Sequence, residues 1–320
     1  MDTLKSLDHL PHSFYPSAVT LGNFDGVHLG HRELFRHLVK LARQLNIPSV
    51  VYTFEPHPLK FLAPDKAPLL LNTPEEKRRL IAASHVDYLI ESPFTSEFAT
   101  MSPEQFVDDV LVAKLKVKAL VVGYDYAFGR GRLGNVDFLR ACGKEKGFTV
   151  DMLQPVGADG LPYSSTRIRT MVAAGDVAGV VRLLGRQYNL EGVVVPGDQR
   201  GRKLGFPTAN LETTKEQLPP PGVYAVKVRC RLLEYNAVVN IGYRPTFDGK
   251  MSTIEVYLLD FTGDLYGEKL RMYFVERLRG EQKFDTIDAL VNAISADVLR
   301  ARQILQSVQI IQYREYLSLK

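Results

Sequence analysis

The chain is poor in cysteine and has no long hydrophobic run. Only Cys142 and Cys230 occur among its 320 residues, and they lie far apart in the sequence. This scarcity excludes a disulfide framework and predicts a reducing, cytoplasmic setting. No run of about eighteen apolar residues is present, so no membrane-spanning helix is expected. Residues 1–16 carry charges and prolines but no apolar core, so they do not resemble a secretory signal.

The chain also lacks a large excess of charge of one sign. Its 40 Lys and Arg residues nearly balance its 36 Asp and Glu residues, which leaves a formal net charge of +4 at pH 7. This mild positive charge suits anionic small-molecule substrates and gives no reason to expect a nucleic-acid or membrane partner. A composition of 45% hydrophobic and 24% charged residues is ordinary for a globular protein. A chain of this length is expected to form two domains.

The first half of the chain alternates predicted strands with predicted helices. Residues 49–54, 86–90 and 119–122 are β-prone. Helix starts are predicted at Thr73 and Ser102, because each is followed by Pro and then by a Glu or Gln that can close a capping box. Strands joined by crossover helices form a parallel sheet, and ligands of such sheets lie at the carboxyl ends of the strands. The loops that follow the strands are therefore the candidate sites.

Residues 19–31 combine a strand, a glycine-rich turn and the start of a helix, and read V-T-L-G-N-F-D-G-V-H-L-G-H. That order places unpaired backbone N–H groups and the positive end of a helix dipole at one spot, which suits a phosphate group. His28 and His31 lie on one face of the first helical turn, where they can stabilise a departing pyrophosphate. The other predicted phosphate-binding residues are Gly22, Asn23, Phe24, Asp25, Gly26 and Gly30. A plain turn, or metal ligation by the two histidines, is the alternative.

The ten residues from Gly22 to His31 resemble a known signature. H-x-G-H is similar to the signature of the nucleotidyltransferase superfamily, and the longer string resembles the adenylylating module of bifunctional bacterial riboflavin kinase/FAD synthetases. The resemblance implies a Rossmann-like domain that binds ATP. In such a domain an acceptor phosphate attacks the α-phosphorus and pyrophosphate leaves, so catalysis consists of positioning and charge neutralisation.

Three further loops of the first half carry candidate residues. The segment 163–169 reads Y-S-S-T-R-I-R, and S-S-T-x-x-R resembles the second phosphate-binding signature of the same superfamily. This implies that the ATP phosphates are held by Ser164, Ser165, Thr166 and Arg169, although helix capping alone is the alternative. The segment 123–129 is similar to the family pattern G-x-D-F-x-F-G, with a conservative departure at Tyr126. Together with 54–58 it predicts a flavin site formed by Phe54, His57, Asp125, Tyr126 and Phe128; core packing and a plain turn are the alternatives.

After Gly185 the pattern changes to short β-rich runs separated by Pro, Gly and Asp. These runs, at 190–195, 223–229, 237–241, 254–259 and 270–275, predict an antiparallel sheet that closes into a small barrel. A helix is predicted from 285 to 305, with a barrel-facing side formed by Ile287, Leu290, Val291, Ile294, Val298 and Ile304. The expected fold is therefore α/β plus β: residues 1–185 form a Rossmann-like nucleotidyltransferase domain with a parallel sheet, and residues 186–320 form a small antiparallel barrel with a terminal helix.

The segment 201–210 is the second candidate site and reads G-R-K-L-G-F-P-T-A-N. Thr208 and Asn210 lie two residues apart, so in an extended segment both side chains point the same way and can share one hard cation. A surface loop with chance basic residues is the alternative. The segment looks like the riboflavin kinase signature, which implies Mg²⁺–ATP bound by these two residues beneath an arch of Gly201, Arg202, Lys203 and Gly205.

Glu255 stands on a predicted strand, in the sequence E-V-Y-L-L-D-F. Transfer of a phosphoryl group to an alcohol needs a base to take or orient the hydroxyl proton. In the riboflavin kinase family the Glu of a similar E-V-x-x-L-D-F segment is the proposed base, and the resemblance gives Glu255 that role. An exposed carboxylate without a catalytic role is the alternative.

The resemblance covers nearly the whole chain and implies a bifunctional enzyme of flavin cofactor biosynthesis. The C-terminal barrel is expected to phosphorylate riboflavin from ATP, giving FMN and ADP. The N-terminal domain is expected to adenylylate FMN from a second ATP, giving FAD and pyrophosphate. Mg²⁺ is the expected metal. A nucleotidyltransferase with another acceptor and a non-catalytic flavin- or nucleotide-binding protein are the alternatives, but a pure binder has no need of a base.

Overall fold

The computed structural model describes residues 1–8, 10–11, 14–158, 160–197, 201, 204–246 and 249–311. The chain divides into two compact units, and the boundary between them falls between Ser165 and Thr166. The division into functional domains after Gly185, where the sequence pattern changes, stays a prediction. Each unit has its own sheet and its own hydrophobic core.

The first unit is built on a six-stranded parallel sheet in the order β1-β4-β3-β2-β5-β6. The strands are β1 (Asp2–Leu4), β2 (Ser17–Leu21), β3 (Ser49–Phe54), β4 (Tyr88–Ser92), β5 (Val117–Gly123) and β6 (Thr149–Leu153), and a separate antiparallel pair is formed by β7 (Gly157–Ala158) and β8 (Leu161–Pro162). The helices are α1 (Leu29–Leu45), α2 (Pro58–Leu62), α3 (Pro74–Ala82), α4 (Ser96–Thr100), α5 (Pro103–Gln105) and α6 (Val136–Lys146), with a π-helix over Phe106–Lys114 and 3₁₀ turns at Pro64–Lys66 and Arg130–Arg132. The predicted parallel sheet is confirmed.

Both predicted capping boxes of the first unit are present. Thr73 and Ser102 each accept a hydrogen bond from the backbone N–H three residues later, and the side chains of Glu76 and Gln105 bond back to the cap N–H. The central strand β2 is buried at all five residues and pairs with β3 on one side and β5 on the other. The loop that follows β2 therefore starts from the middle of the sheet.

The second unit contains a closed six-stranded antiparallel barrel in the order β10-β13-β12-β11-β14-β9. It includes α7 (Ser165–Ala174) from Thr166 onward, then α8 (Val181–Leu184), β9 (Asn189–Val195), β10 (Ala209–Glu212), β11 (Gly222–Cys230), β12 (Leu233–Thr246), β13 (Gly249–Leu258), β14 (Lys269–Gly280) and α9 (Ile287–Leu305). The predicted barrel is confirmed. The sequence pattern missed β10, because four residues next to a proline are too few to show alternation.

Helix α9 begins after the N-cap Thr286 and packs against the barrel. Its last turns supply the contact, in a buried cluster formed by Val223, Ala225, Val238, Leu278, Ala301 and Leu305. The predicted helix and its docking on the barrel are confirmed, but the predicted buried side is wrong at its start. Ile287 is 67% exposed, because the helix is anchored by residues near its C-terminal end.

Candidate functional sites

The loop after β2 turns through an unusual backbone path. Phe24 and Val27 have positive φ values of 50° and 39°, and Gly26 has φ +81°. Left-handed conformations are costly for side chains other than glycine, so the surrounding packing must hold them. Val27 is fully buried. The ring of Phe24 packs edge-on against His31, with ring centroids 5.3 Å apart, and against Phe35, with ring centroids 4.9 Å apart. Phe24 therefore fixes the position of His31 from inside the protein.

The structure brings His28 and His31 together at the start of α1. His28 is the N-cap, and its Nδ1 accepts a hydrogen bond from the backbone N–H of His31 at 3.3 Å. The two rings stack with centroids 3.6 Å apart. A side chain at position 30 would place its Cβ 3.1 Å from the His28 ring, so Gly30 leaves room for this arrangement. Both imidazoles are thus held at a helix N-terminus, where an anion is favoured.

Asp25 does not present its carboxylate freely to a ligand. Both of its carboxylate oxygens accept hydrogen bonds from the backbone N–H of Leu71, at 3.0 and 3.1 Å, and one accepts from Asn72 at 3.3 Å. Its backbone carbonyl accepts a hydrogen bond from the hydroxyl of Ser165 at 2.8 Å. Asp25 therefore joins the loop after β2 to two other segments, and this positioning role is one that the sequence pattern did not reveal.

Asn23 and His57 form a pair whose orientation follows from hydrogen-bond chemistry. The Nδ1 of His57 accepts a hydrogen bond from the Leu59 N–H at 3.2 Å and caps α2. The proton of the neutral imidazole is then on Nε2, which lies 3.2 Å from the side-chain amide of Asn23. Nε2 must donate, so we assign the amide oxygen of Asn23 to the position that faces it, where the structure places Nδ2; the NH₂ group then points away from His57. The structure thus places His57, a predicted flavin contact, beside the loop after β2.

The remaining predicted flavin residues belong to an aromatic cluster. Phe54 packs edge-on against Phe94 at 5.1 Å, and Tyr126 stacks on Phe128 at 5.7 Å. Phe128 is 8% exposed and also joins the core of the first unit. Burial raises the pKa of Tyr126, so this hydroxyl stays protonated. Asp125, in contrast, is exposed.

The segment with the predicted second phosphate signature opens α7, as the sequence predicts. The helix runs from Ser165 to Ala174 and ends at Gly175, which has φ +83°. Ser164 immediately precedes the helix, and Thr166 and Arg169 lie in its first two turns. Hydroxyl groups and helix N-terminal amides are thereby gathered at one point of the chain.

The second candidate site, predicted from the segment 201–210 and Glu255, is built around one row of residues across three neighbouring strands. Glu255 on β13 lies directly opposite Asn210 on β10 and directly opposite Asn240 on β12. Residues opposite one another in antiparallel strands share a face of the sheet. The hydroxyl of Thr208 lies 3.5 Å from the Glu255 carboxylate. The structure therefore brings the predicted metal ligands and the predicted base together, and places Asn240 in the same row.

Glycines keep this site open. An added Cβ at Gly201 would lie 3.2 Å from the Thr208 hydroxyl, and one at Gly197 would lie 2.9 Å from the Asn210 amide oxygen and closer still to the rest of that amide. Gly205 has φ +86°, which favours glycine. The predicted phosphate-binding residues Arg202 and Lys203 lie outside the described residues.

Among the residues that the structure describes, no group of three or more His, Cys, Asp and Glu side chains could hold a metal ion. Ligation of a metal by His28 and His31 therefore lacks a third partner of those types there. In the same part of the chain, no helix combines the length and apolar character needed to cross a membrane.

Two family models match separate parts of the chain. A family model described as FAD synthetase matches residues 11–167, and one described as riboflavin kinase matches residues 184–305. A bifunctional riboflavin kinase/FMN adenylyltransferase of Pseudomonas fluorescens is 41% identical over 304 residues, which are 94% of this chain and 97% of that protein. The protein of the same name from Escherichia coli (strain K12) is 42% identical over 287 residues, 89% of this chain and 91% of that protein.

One solved structure is similar to this chain over nearly its whole length. It is a crystal structure of a protein described as a macrolide-efflux protein from Streptococcus pneumoniae, and its TM-score is 0.85 at 35% identity, with 94% of this chain and 98% of that chain covered. The first family model spans His28 and His31, and the second spans Thr208, Asn210 and Glu255.

Proposed function

Because the chain belongs to the family of bifunctional riboflavin kinases/FMN adenylyltransferases, we propose that each of its two candidate sites performs one of the two reactions. The second unit phosphorylates riboflavin with ATP, giving FMN and ADP. The first unit adenylylates FMN with ATP, giving FAD and pyrophosphate. The observation that carries the assignment is that each unit gathers its own phosphate-directed residues: stacked His28 and His31 in one, and the Asn210–Glu255 pair in the other.

In the adenylylation site, the chain acts by positioning and by neutralising charge. A phosphate oxygen of FMN attacks the α-phosphorus of ATP, the new P–O bond forms, and the bond to pyrophosphate breaks. The attacking oxygen is already anionic, so no side chain needs to remove a proton. His28 and His31 at the N-terminus of α1 stabilise the negative charge that develops on the leaving pyrophosphate. Ser164 is proposed to bind phosphate oxygens as well, whereas phosphate binding by Thr166 and Arg169, which lie beyond the boundary of the first unit, stays a prediction from the sequence.

Asn23, Phe24 and Asp25 take different roles in this site. Asn23 offers an NH₂ group, because His57 holds its amide oxygen. Phe24 supports the His31 ring, and Asp25 holds the loop through backbone hydrogen bonds. We assign the flavin ring to the aromatic loops that contain Phe54 and Tyr126, together with Asp125 and Phe128.

In the kinase site, Glu255 is the base. The 5′-hydroxyl oxygen of riboflavin attacks the γ-phosphorus, the bond between that phosphorus and the β,γ-bridging oxygen breaks, and the hydroxyl proton passes to the Glu255 carboxylate. The close approach of the Thr208 hydroxyl to that carboxylate supports one shared site for the base and the nucleotide.

The donor set of the kinase site fits Mg²⁺. Thr208 supplies a hydroxyl oxygen and Asn210 an amide oxygen, which are hard ligands of the kind that Mg²⁺ prefers beside phosphates. When bound there, Mg²⁺ would reduce the negative charge of the phosphates. The low cysteine content supports a cytoplasmic location for both reactions.

Separate variants of the full chain test the assignment. Purified protein is incubated with Mg²⁺–ATP and either riboflavin or FMN, and the flavins are separated by chromatography. His28→Ala with His31→Ala should abolish FAD formation and leave FMN formation. Glu255→Ala should stop FMN formation, while supplied FMN is still converted to FAD. If either variant silenced both reactions while remaining folded, the assignment of one reaction to each site would be wrong.

A further inference from the structure

Lys77 is a buried lysine near the start of α3. Its side chain is 9% exposed, and the residues three and four positions later on the same side of the helix, Leu80 and Ile81, are buried as well. Burial of a lysine is costly unless its ammonium group has partners. Those partners lie where β3 ends: Nζ donates to a carboxylate oxygen of Glu55 at 3.2 Å and to the backbone carbonyl of Phe54 at 3.4 Å.

The carbonyl of Phe54 lies beyond the end of the neighbouring strand. Residues two apart in a strand direct their carbonyls to the same side, so this carbonyl points towards β2, as that of Tyr52 does. The Tyr52 carbonyl accepts a hydrogen bond from the backbone N–H of Gly22 at 3.2 Å, but β2 itself ends at Leu21 and the chain then turns into its loop. Lys77 therefore takes the place of a strand partner and fixes the last residue of β3.

The start of α3 is also tied to the loop after β2. Asp25 of that loop accepts hydrogen bonds from the backbone N–H groups of Leu71 and Asn72, which come just before the helix. Lys77 contacts the loop after β3 from the first turn of the same helix. One short segment of the chain thus holds the predicted phosphate-binding loop and the loop that begins with Phe54 in a fixed relation to each other.

We propose that Lys77 is a positioning residue of the adenylylation site, which sets the segment 54–57 so that Phe54 and His57 meet the flavin of FMN. This inference rests on the proposed adenylylation function and adds a residue that none of the sequence motifs contains. Lys77 acts through the Phe54 carbonyl and the Glu55 carboxylate and does not touch the substrate. Without its ammonium group, that carbonyl must find another donor, and the segment moves to do so.

The test is Lys77→Met in the full chain, because methionine keeps an unbranched apolar stem and removes the ammonium group. Initial rates of FAD formation are measured at varied FMN and at varied Mg²⁺–ATP. Arg78→Met is the matched control: this next residue of α3 also pairs with a glutamate, Glu91, at 2.8 Å, but Glu91 lies on β4 and not in the segment 54–57. Riboflavin phosphorylation and thermal unfolding report on the integrity of each variant.

Lys77→Met should raise KM for FMN by about tenfold and change kcat and KM for ATP by less than about threefold, because the phosphate-binding loop keeps its own anchor at Asp25. Lys77→Arg retains a cationic donor and should bring KM for FMN back to within about threefold of the unmodified protein. Arg78→Met should lower the unfolding temperature and leave KM for FMN unchanged.

A further variant guards against loss of the fold. If Lys77→Met is unfolded at the assay temperature, Lys77→Met with Glu55→Gln is measured in its place, because it also removes the carboxylate left without its partner; the same rise in KM is expected. An unchanged KM for FMN, a loss confined to kcat, or an equal rise in Arg78→Met would overturn the positioning role. Failure of the proposed function is distinct, because the unmodified protein would then form no FAD from FMN.

Discussion

Gly197 provides the sharpest test of how the kinase site is held. It follows β9 and does not belong to the G-R-K-L-G-F-P-T-A-N segment. In Gly197→Ala the three atoms nearest to the new Cβ all belong to the Asn210 side-chain amide, and the amide oxygen is the most distant of them, at 2.9 Å. The methyl group therefore meets one flexible side chain first, so the barrel should fold while the amide turns away.

The expected loss follows from that displacement. Asn210 must move its amide by about 1 Å or more, and a misplacement of about 1 Å in a positioning group costs roughly 100-fold in rate. Gly197→Ala should accordingly lower kcat/KM for riboflavin phosphorylation by about 100-fold, with most of the loss in kcat. FAD formation from supplied FMN should be unchanged, and it serves as the internal control in the same preparation.

A double-mutant cycle decides whether the loss arises through Asn210. If it does, Gly197→Ala combined with Asn210→Ala should be no worse than Asn210→Ala alone, because the group that the methyl displaces is already absent. Additive losses in the double variant would refute the reasoning. So would a Gly197→Ala variant with full kinase activity and an unchanged unfolding temperature.

Three further outcomes are expected. Asp25→Asn replaces an acceptor that faces backbone N–H groups, and should lower the free energy of unfolding in urea by about 2 kcal/mol. His57→Ala frees the amide that it orients and should reduce FAD formation about tenfold, with partial recovery in His57→Gln, while riboflavin phosphorylation stays unchanged. Burial raises the pKa of Tyr224 from 10.0 to about 12, although the Arg277 guanidinium partly offsets this. The contribution of the protonated Tyr224 to the free energy of unfolding is therefore complete below pH 10, and about 2 kcal/mol of it is lost as the pH rises towards 12. Tyr224→Phe should remove that loss, as measured by denaturant titrations at alkaline pH.

Local patterns predicted much of the fold because they depend on neighbouring residues. The strand at 49–54 and the helix start at Thr73 are where the sequence places them, since burial of β3 and the capping box are both encoded within a few positions. The N-terminal strand β1 was not predicted, because its three residues gain their structure only by pairing with β4. Ile287 was misassigned because periodicity defines an apolar side of a helix but not how much of its length meets a partner.

The candidate sites show the same difference between contacts within one short segment, which could be predicted, and contacts between distant segments, which could not. Motif spacing was enough to place His28 near His31, and to place both Thr208 and Asn210 at the site that contains Glu255, because each pair is close in the sequence. The partners of Asp25 and of Asn23 could not be predicted, because they come from segments more than thirty residues away. The position of Asn240 opposite Glu255 could not be predicted for the same reason, because only the register between β12 and β13 sets it.

The short strand β10 is hydrogen-bonded on both sides, to β9 and to β13. The spacing between the amide of Asn210 and the carboxylate of Glu255 is therefore set by the ladder of backbone bonds and does not depend on the length of the connecting loops. We expect the loop 259–268, which connects β13 to β14, to tolerate insertions and grafted peptides with little change in phosphoryl transfer. The loop 196–208 between β9 and β10 is different, because it carries Thr208 and the predicted phosphate-binding residues. A designer can therefore rebuild the first of these loops and leave the reacting centre in register.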